Sequence, residues 1–342
     1  MVSHAQTDQL RNCIIFGGAG FIGSHFAQHL IDLDLFDHVY LADINPMRPF
    51  YNFDQTKIHY VHVDVRNKID QSLLPKSVML IANFAAVHRE PGHENDEYYE
   101  TNLYGAENVC AFADKVGCKK IIFTSSIAPY GPSETPKDER SLTAPTTAYG
   151  GSKLAAEKIH QIWRMSDANA NQLVIVRPGV VFGPGEGGNV TRLIKAVTHR
   201  YFFYMANKDT RKAGVYVKEL CNAMWWVLQA QTKTKEKFSL FNMTMSPAPS
   251  IKNYVDTVCE VSNFKRYVPS VPYFFLLMMA YLIEVITKPL GIKNSFSPVR
   301  IKKLVNSNNI VPNYLVKNNY PYLFSLKTAF ADWKKDCPND WQ

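Results

Sequence analysis

The sequence predicts an α/β fold, a doubly wound parallel sheet followed by a smaller C-terminal lobe. Two observations carry this. Short apolar runs alternate with amphipathic stretches through the first half of the chain, which is the pattern of strands buried on both faces and covered by helices. A glycine-rich turn, GGAGFIG, follows the first of these runs directly. The strands are expected at Cys13–Phe16, His38–Ala42, Ile58–Val63, Val78–Phe84, Ile121–Thr124 and Leu173–Val176. Helices are expected at Phe21–Leu33, Glu94–Val116 and Thr147–Arg164. After Pro178 the alternation stops: a Gly/Pro-rich loop (Gly183–Gly188), a helix and a strand near Val215–Val217 begin a second region. The expected division is 12–178 for the sheet domain, with elements near 214–242 returning to it, and 179–342 for the smaller lobe.

The 342 residues include 38 Lys+Arg against 30 Asp+Glu, and 46% are apolar. That composition excludes a disordered, collagenous or disulfide-stapled chain. The six cysteines show no CxxC pairing, so no metal or redox motif follows from their spacing. The first twelve residues contain no apolar core of a signal peptide, and the expectation is a reducing, cytoplasmic setting. The net charge of +8 is uneven: Ile251 to Gln342 carries 12 basic and 6 acidic residues. No basic-aromatic or helix-turn-helix pattern accompanies that charge, so nucleic acid is not an expected partner.

Gly17, Gly20 and Gly23, with Phe21 and Ile22 between them, sit where the first strand turns into a helix. Small residues there let a backbone approach a pyrophosphate at a helix N-terminus. Asp43 ends the next strand, 20 residues beyond Gly23, where an acid accepts hydrogen bonds from an adenosine ribose and repels a 2′-phosphate. The expected cofactor is therefore NAD. Asp64, in HVDVRN, also ends a strand; it either meets the adenine amine or caps its loop. Tyr149 and Lys153 form Y-x-x-x-K within a helical pattern, so both lie on one face. A phenol titrates near 10, and a neighbouring ammonium favours its phenolate. Thr124, Ser125 and Ser126 end the preceding strand, offering a hydroxyl to share with a substrate alcohol.

With GGAGFIGSH (17–25), Asp43, DVRN (64–67), NFAAVHR (83–89), TNLYG (101–105), TSSIAPYG (124–131), YGGSK (149–153), RPGVVFGPG (177–185) and VYVKEL (215–220), the chain resembles an extended short-chain dehydrogenase/reductase. Within that group it is similar to the NAD-dependent sugar epimerase/dehydratase family, whose fold is a Rossmann sheet with a substrate lobe. The resemblance implies Ser126, Tyr149 and Lys153 as the catalytic hydroxyl, base and activator, with Ser125 interchangeable by a one-place slip. It places Val65, Ala85, Ala86 and Asn102 against NAD, and Asn189, Lys212 and its neighbour Arg211 at a diphosphate. His88 and Arg89 directly follow the fourth strand and are candidates for the sugar or phosphate. Ile127 and Ala128 stand where related dehydratases carry an Asp-Glu pair, which points to 4-epimerisation instead. Relatives commonly pair as homodimers through the helices carrying YxxxK.

Tyr267 to Ile283 is a run of 17 residues without a charge, flanked by Lys265, Arg266 and the later Lys288, Lys293, Arg300, Lys302 and Lys303. Pro269 and Pro272 limit its helical part to about Tyr273–Thr287, short of the roughly 20 residues a spanning helix needs. Two readings stay open: a helix of the lobe's core, or one lying peripherally in a membrane interface. Its four aromatics and basic flanks favour the second. This tail resembles that of bacterial epimerases acting on polyprenyl-diphosphate-linked N-acetylhexosamine in surface-polysaccharide assembly. A soluble UDP-sugar 4-epimerase and a sterol-type hydroxyl dehydrogenase are the alternatives.

Overall fold

The structure is a computed structural model that describes residues 10–47, 53–88, 92–205, 207–287 and 307–342. Its strands are β1 Asn12–Phe16, β2 His38–Asp43, β3 Ile58–His62, β4 Leu80–Asn83, β5 Lys120–Thr124, β6 Ser133–Lys137, β7 Gln172–Pro178, β8 Val180–Phe182, β9 Tyr204–Met205, β10 Gly214–Tyr216, β11 Phe238–Met243, β12 Ser270–Val271 and β13 Asn308–Ile310. Its helices are α1 Phe21–Asp32, α2 Asn95–Lys115, α3 Ala148–Ser166, α4 Asn189–Thr198, α5 Val217–Thr234, α6 Ile251–Val261, α7 Tyr273–Thr287, α8 Asn313–Lys317 and α9 Leu326–Asp336.

Seven strands form one parallel sheet in the order β11-β7-β5-β4-β1-β2-β3. Alternate residues of each strand point to opposite faces. Ile14, Phe16, Ile121, Phe123 and Ile175 therefore pack under α2 and α3, beside Val109, Phe112, Ala156 and Trp163. Cys13, Ile15, Ile122, Val174 and Val176 face the other way, in the core that includes Phe26 and Leu30 of α1 and Leu220, Met224 and Val227 of α5. Burial on both faces explains why the strands read as unbroken apolar runs. The strand order reverses between β1 and β4, and a doubly wound sheet binds ligands at the carboxyl ends flanking that point.

The turn after β1 is tight. Gly17 has φ +75°, and a Cβ there would stand 2.6 Å from the Ala85 nitrogen. A Cβ on Gly23 would stand 2.3 Å from the Gly17 carbonyl oxygen. Gly17 thus brings the loops after β1 and β4 into contact, and Gly23 lets α1 start against the turn.

Outside the seven-stranded sheet the chain builds small parallel pairs: β8 with β10, β9 with β12, and β6, which precedes β7, with β13. The strand expected near Val215–Val217 is β10, and Val217 already begins α5. The C-terminal segment clamps this region. Phe182, Phe330, Trp333 and Trp341 form one aromatic cluster with ring centroids 5.6–6.1 Å apart. Buried Glu219 accepts hydrogen bonds from the Leu323 and Phe324 amides and the Tyr320 hydroxyl. Asp340 accepts from the Gly185 amide at 3.0 Å and from the Trp333 indole at 2.9 Å. His25 of α1 donates to the Pro184 carbonyl at 3.0 Å. The Gly183–Gly188 loop is held from both sides.

Trp333 is fully buried at the centre of this clamp. Trp333→Ala is expected to cost about 3–5 kcal/mol of unfolding free energy, read from the urea midpoint. A loss below about 1 kcal/mol would show that the tail does not secure the lobe.

Candidate active site

The site is assembled at the carboxyl ends of β1, β2, β4 and β5, with α3 behind it. Gly20 caps α1 without a side chain, so the first-turn N–H groups face an anion-binding position. Phe21 and Ile22 are half-buried just inside that helix start, Phe21 edge-on to the His25 ring. Asp43 is buried. One carboxylate oxygen accepts from the Ala19 amide at 3.1 Å, the other from the Asn45 amide at 2.9 Å. It fixes the glycine turn to the end of β2 and keeps acceptor capacity for a diol.

Asp64 is paired with Arg66, whose guanidinium donates to both carboxylate oxygens, the shortest contact 2.7 Å. Those hydrogen bonds hold the Asp64 carboxyl below its ordinary range. Val65 is buried against Gly105, and its carbonyl accepts from Asn108. Ala85 and Ala86 lie half-buried in the loop after β4, Ala85 against Gly17. Asn102, buried in α2, accepts from the Val87 amide at 3.1 Å and donates to Ser152 at 2.8 Å. Its side chain ties the β4 loop to α3.

Thr147 caps α3 by accepting from the Gly150 amide. Tyr149 follows in the first turn, half-buried, its ring 6.1 Å from that of Tyr98 on α2. Lys153 stands one turn on, 2% exposed, with its ammonium 4.5 Å from the centroid of the Phe123 ring. Burial pushes the amine down to about 7, and the charge of Glu157 opposes that fall. The two adjacent serines part company. Ser125 is buried and donates to Glu157 at 2.5 Å, whereas Ser126 is half-buried and its hydroxyl accepts from the Ala128 amide at 3.1 Å. A strand end sends neighbours to opposite sides, so Ser126 is the hydroxyl left on the open side.

The second-lobe candidates sit on later elements of the chain. Asn189 is the first residue of α4 rather than its cap, which is Gly188; its side-chain oxygen accepts from Arg192 at 2.8 Å. Arg211 donates to the Ala248 carbonyl at 2.6 Å and lines an open pocket with Met245, Pro247 and Asn309. Lys212 is half-buried, its amide donating to the Pro249 carbonyl. His88 is exposed at the end of the β4 loop. Arg89 lies outside the described residues.

Three residues of the site escaped the sequence reading: Glu157, Arg177 and His160. Glu157 continues the four-residue spacing from Tyr149 through Lys153, a signal that was available. His160 stacks on Phe123 with centroids 4.1 Å apart, and burial pushes its imidazole down to about 4, so it is neutral. Asn83 Oδ1 and Thr124 Oγ1, at the carboxyl ends of β4 and β5, are buried without a hydrogen-bond partner. Glycines whose Cβ positions are filled by backbone, a carboxylate at the end of β2 and unpaired polar atoms at neighbouring strand ends fit a bound NAD.

The comparisons agree with this geometry. A protein of Escherichia coli O157:H7, N-acetyl-α-D-glucosaminyl-diphospho-ditrans,octacis-undecaprenol 4-epimerase, is 27% identical over 95% of this chain and 97% of its own. The 3β-hydroxysteroid-dehydrogenase/decarboxylase isoform 1 of Arabidopsis thaliana is 23% identical over 83% of this chain and 69% of its own. In fold, the chain is similar to UDP-glucuronic acid 4-epimerase from Bacillus cereus in complex with NAD, with a TM-score of 0.73, 16% identity and coverage of 97% and 100%. The model of the NAD dependent epimerase/dehydratase family matches residues 13–241, and this chain belongs to that family.

Proposed function

We propose that the protein is a 4-epimerase of an N-acetylhexosamine carried on a polyprenyl diphosphate, working at a membrane surface to which it binds peripherally. The observation that carries the membrane part is α7. Phe274 is 70% exposed, Phe275 54%, Leu282 53% and Val285 71%, while Leu276 and Ala280 alone among its described side chains are buried. Those two pack on Phe203, Met205 and Val271. An exposed apolar patch of this kind marks an interaction surface, which supports the interface reading over the core-helix reading. Among the described residues no helix is long and apolar enough to cross a membrane. Of the basic flanks, Arg266 is committed to the Val197 and Phe202 carbonyls, and Lys288 to Lys303 lie outside the described residues. The E. coli protein named for a lipid-linked substrate matches along nearly its whole length, which supports the same reading.

In this reading the division 12–178 holds NAD, with 214–242 returning to the sheet, and 179–342 supplies most of the substrate lobe. NAD supplies reversible oxidation of a secondary alcohol carbon. Tyr149, as phenolate, takes the hydroxyl proton of that carbon and returns it after the keto sugar has turned over. Lys153 stabilises the phenolate; lowering a phenol from about 10 to about 7 corresponds to ~4 kcal/mol. Ser126 shares a hydrogen bond with the same oxygen. Asn189, Arg211 and Lys212 hold the diphosphate, and His88 faces the sugar.

Tyr149→Phe is expected to lower turnover by about 10²–10⁴-fold while NAD stays bound, and Lys153→Ala to lose activity and cofactor together. Near-wild-type turnover by Tyr149→Phe would sink the mechanism. Phe274→Glu/Phe275→Glu, both exposed, is expected to abolish co-sedimentation with anionic vesicles and conversion of the polyprenyl substrate. Rapid conversion of UDP-GlcNAc by the detergent-free protein, with none of the polyprenyl substrate, would favour a soluble UDP-sugar enzyme. Stoichiometric NADH release would favour a dehydrogenase.

A further inference from the structure

Glu157 has no exposed surface, yet three polar side chains converge on or beside it. Arg177, from β7, donates through Nε at 2.8 Å and through a terminal nitrogen at 2.6 Å, closing a two-point ion pair. Ser125, from the end of β5, donates at 2.5 Å. Lys153 stands one helical turn back on the same face of α3. A carboxylate removed from water this fully is costly, and a buried ion pair is weak evidence for stability as such, so a role beyond packing is worth seeking.

The chemistry around Lys153 suggests it. Its surroundings are the Phe123 ring on β5, neutral His160 and Tyr149 on α3, and Tyr98 of α2 beside Tyr149. Arg177 lies over the Tyr130 ring, with its centre 4.7 Å from the centroid. Within this set Glu157 is the group that favours the ammonium. The Glu157–Ser125 bond also joins α3 to the strand end from which Ser126 departs; the Ser125 and Ile127 amides donate to the Val176 and Pro178 carbonyls on β7.

We propose that Glu157 is a positioning residue of the active site: it supplies the negative charge one turn behind the Lys153 ammonium and, through Ser125, fixes the strand end that presents Ser126. This rests on the reading of Tyr149 as the base. A proton shared between the two groups sits on Lys153, leaving a phenolate, when an anion lies behind the amine. Without that anion it returns to the phenol. The sign follows: loss of Glu157 makes the Tyr149 phenolate form at higher pH.

The experiment is a titration of Tyr149 in the NAD-loaded protein, read as the difference in phenolate absorbance between each protein and the same protein carrying Tyr149→Phe. Glu157→Gln leaves Arg177 an unpaired buried cation, so Glu157→Gln/Arg177→Met, which removes both charges, is measured beside it. Either variant is expected to shift the titration upward by about one pH unit, a tenfold loss of phenolate at a fixed pH below it. Glu157→Asp, which keeps the charge, is expected to stay near the parent. Ser125→Ala, which leaves every charge in place, is expected to lower kcat about fivefold, the scale of one hydrogen bond, without moving the titration. An unmoved titration in the charge-removing variants overturns the electrostatic role, and wild-type kcat in Ser125→Ala overturns the strand-fixing role. Absence of any Tyr149-dependent signal in the parent below the ordinary phenol range instead overturns the base assignment, and this inference with it.

Discussion

A lysine ammonium held almost wholly out of water sets the terms for the rest of this site. Lys153 is 2% exposed and rests on an aromatic ring. An isolated charge in that position loses its proton, because burial disfavours the charged form. The fold answers with an anion at helical spacing, and that anion in turn requires Arg177 and Ser125, from two different strands, to satisfy its oxygens. One helix position therefore dictates side chains on β5 and β7. Burial pulls the Arg177 guanidinium down, and the bonds and charge of Glu157 more than offset this, holding it above its ordinary value. The tuned group of the arrangement is thus the amine, which follows the phenol of Tyr149 by one turn of α3.

The second constraint is spatial. Parallel strands on both sides of the order reversal bring the loops after β1 and β4 together, and Gly17 is where they meet. Asp43 then bonds the turn itself through the Ala19 amide. In the proposed NAD site the carboxylate that would accept a ribose also shapes the turn that would lie beneath the pyrophosphate, so one residue would couple the two halves of the dinucleotide. The Gly183–Gly188 loop adds a third wall, because His25 of α1 and Asp340 of the C-terminal turn both hold it. A tail more than 150 residues downstream in sequence thereby braces the loop that precedes α4.

Six of the sheet's seven strands were legible as runs ended by turn residues, the inner ones apolar and largely buried and the edge strand β3 only partly so; the observed bounds differ by a few residues at most. The small pairings were not, although β10 itself was expected. β8 with β10 and β6 with β13 join three-to-five-residue segments far apart in sequence, and so short a segment carries no periodicity of its own. The site divides in the same way. Glycine turn, Asp43 and Y-x-x-x-K are local patterns, and local patterns survive in one dimension. Which of Ser125 and Ser126 faces the open side depends on the position of Glu157, a contact 32 residues away. Asn102 was expected against the cofactor. Its side chain bonds Val87 and Ser152, a role that depends on three separate elements meeting.

The α7 helix shows how composition and length decide an environment that neither decides alone. Fifteen residues at 1.5 Å each extend about 22 Å, against a hydrocarbon core of about 30 Å. Spanning is therefore unfavourable, since backbone at the helix ends would enter lipid unpaired. Full burial in the lobe would have required partners around the helix, whereas its two buried residues, Leu276 and Ala280, pack on Phe203, Met205 and Val271 and most of the rest is exposed. The proposed position in the plane of an interface satisfies both conditions: Phe274, Phe275, Leu282 and Val285 would leave water without any helix end leaving it. The anchoring residues Phe203 and Met205 follow α4 closely, and α4 runs about 15 Å from Asn189 to Thr198. The segment that seats α7 thus closely follows the helix whose first residue is a diphosphate candidate. An interfacial α7 would fit the proposed substrate, whose diphosphate lies at the bilayer surface, better than one that arrives from bulk water.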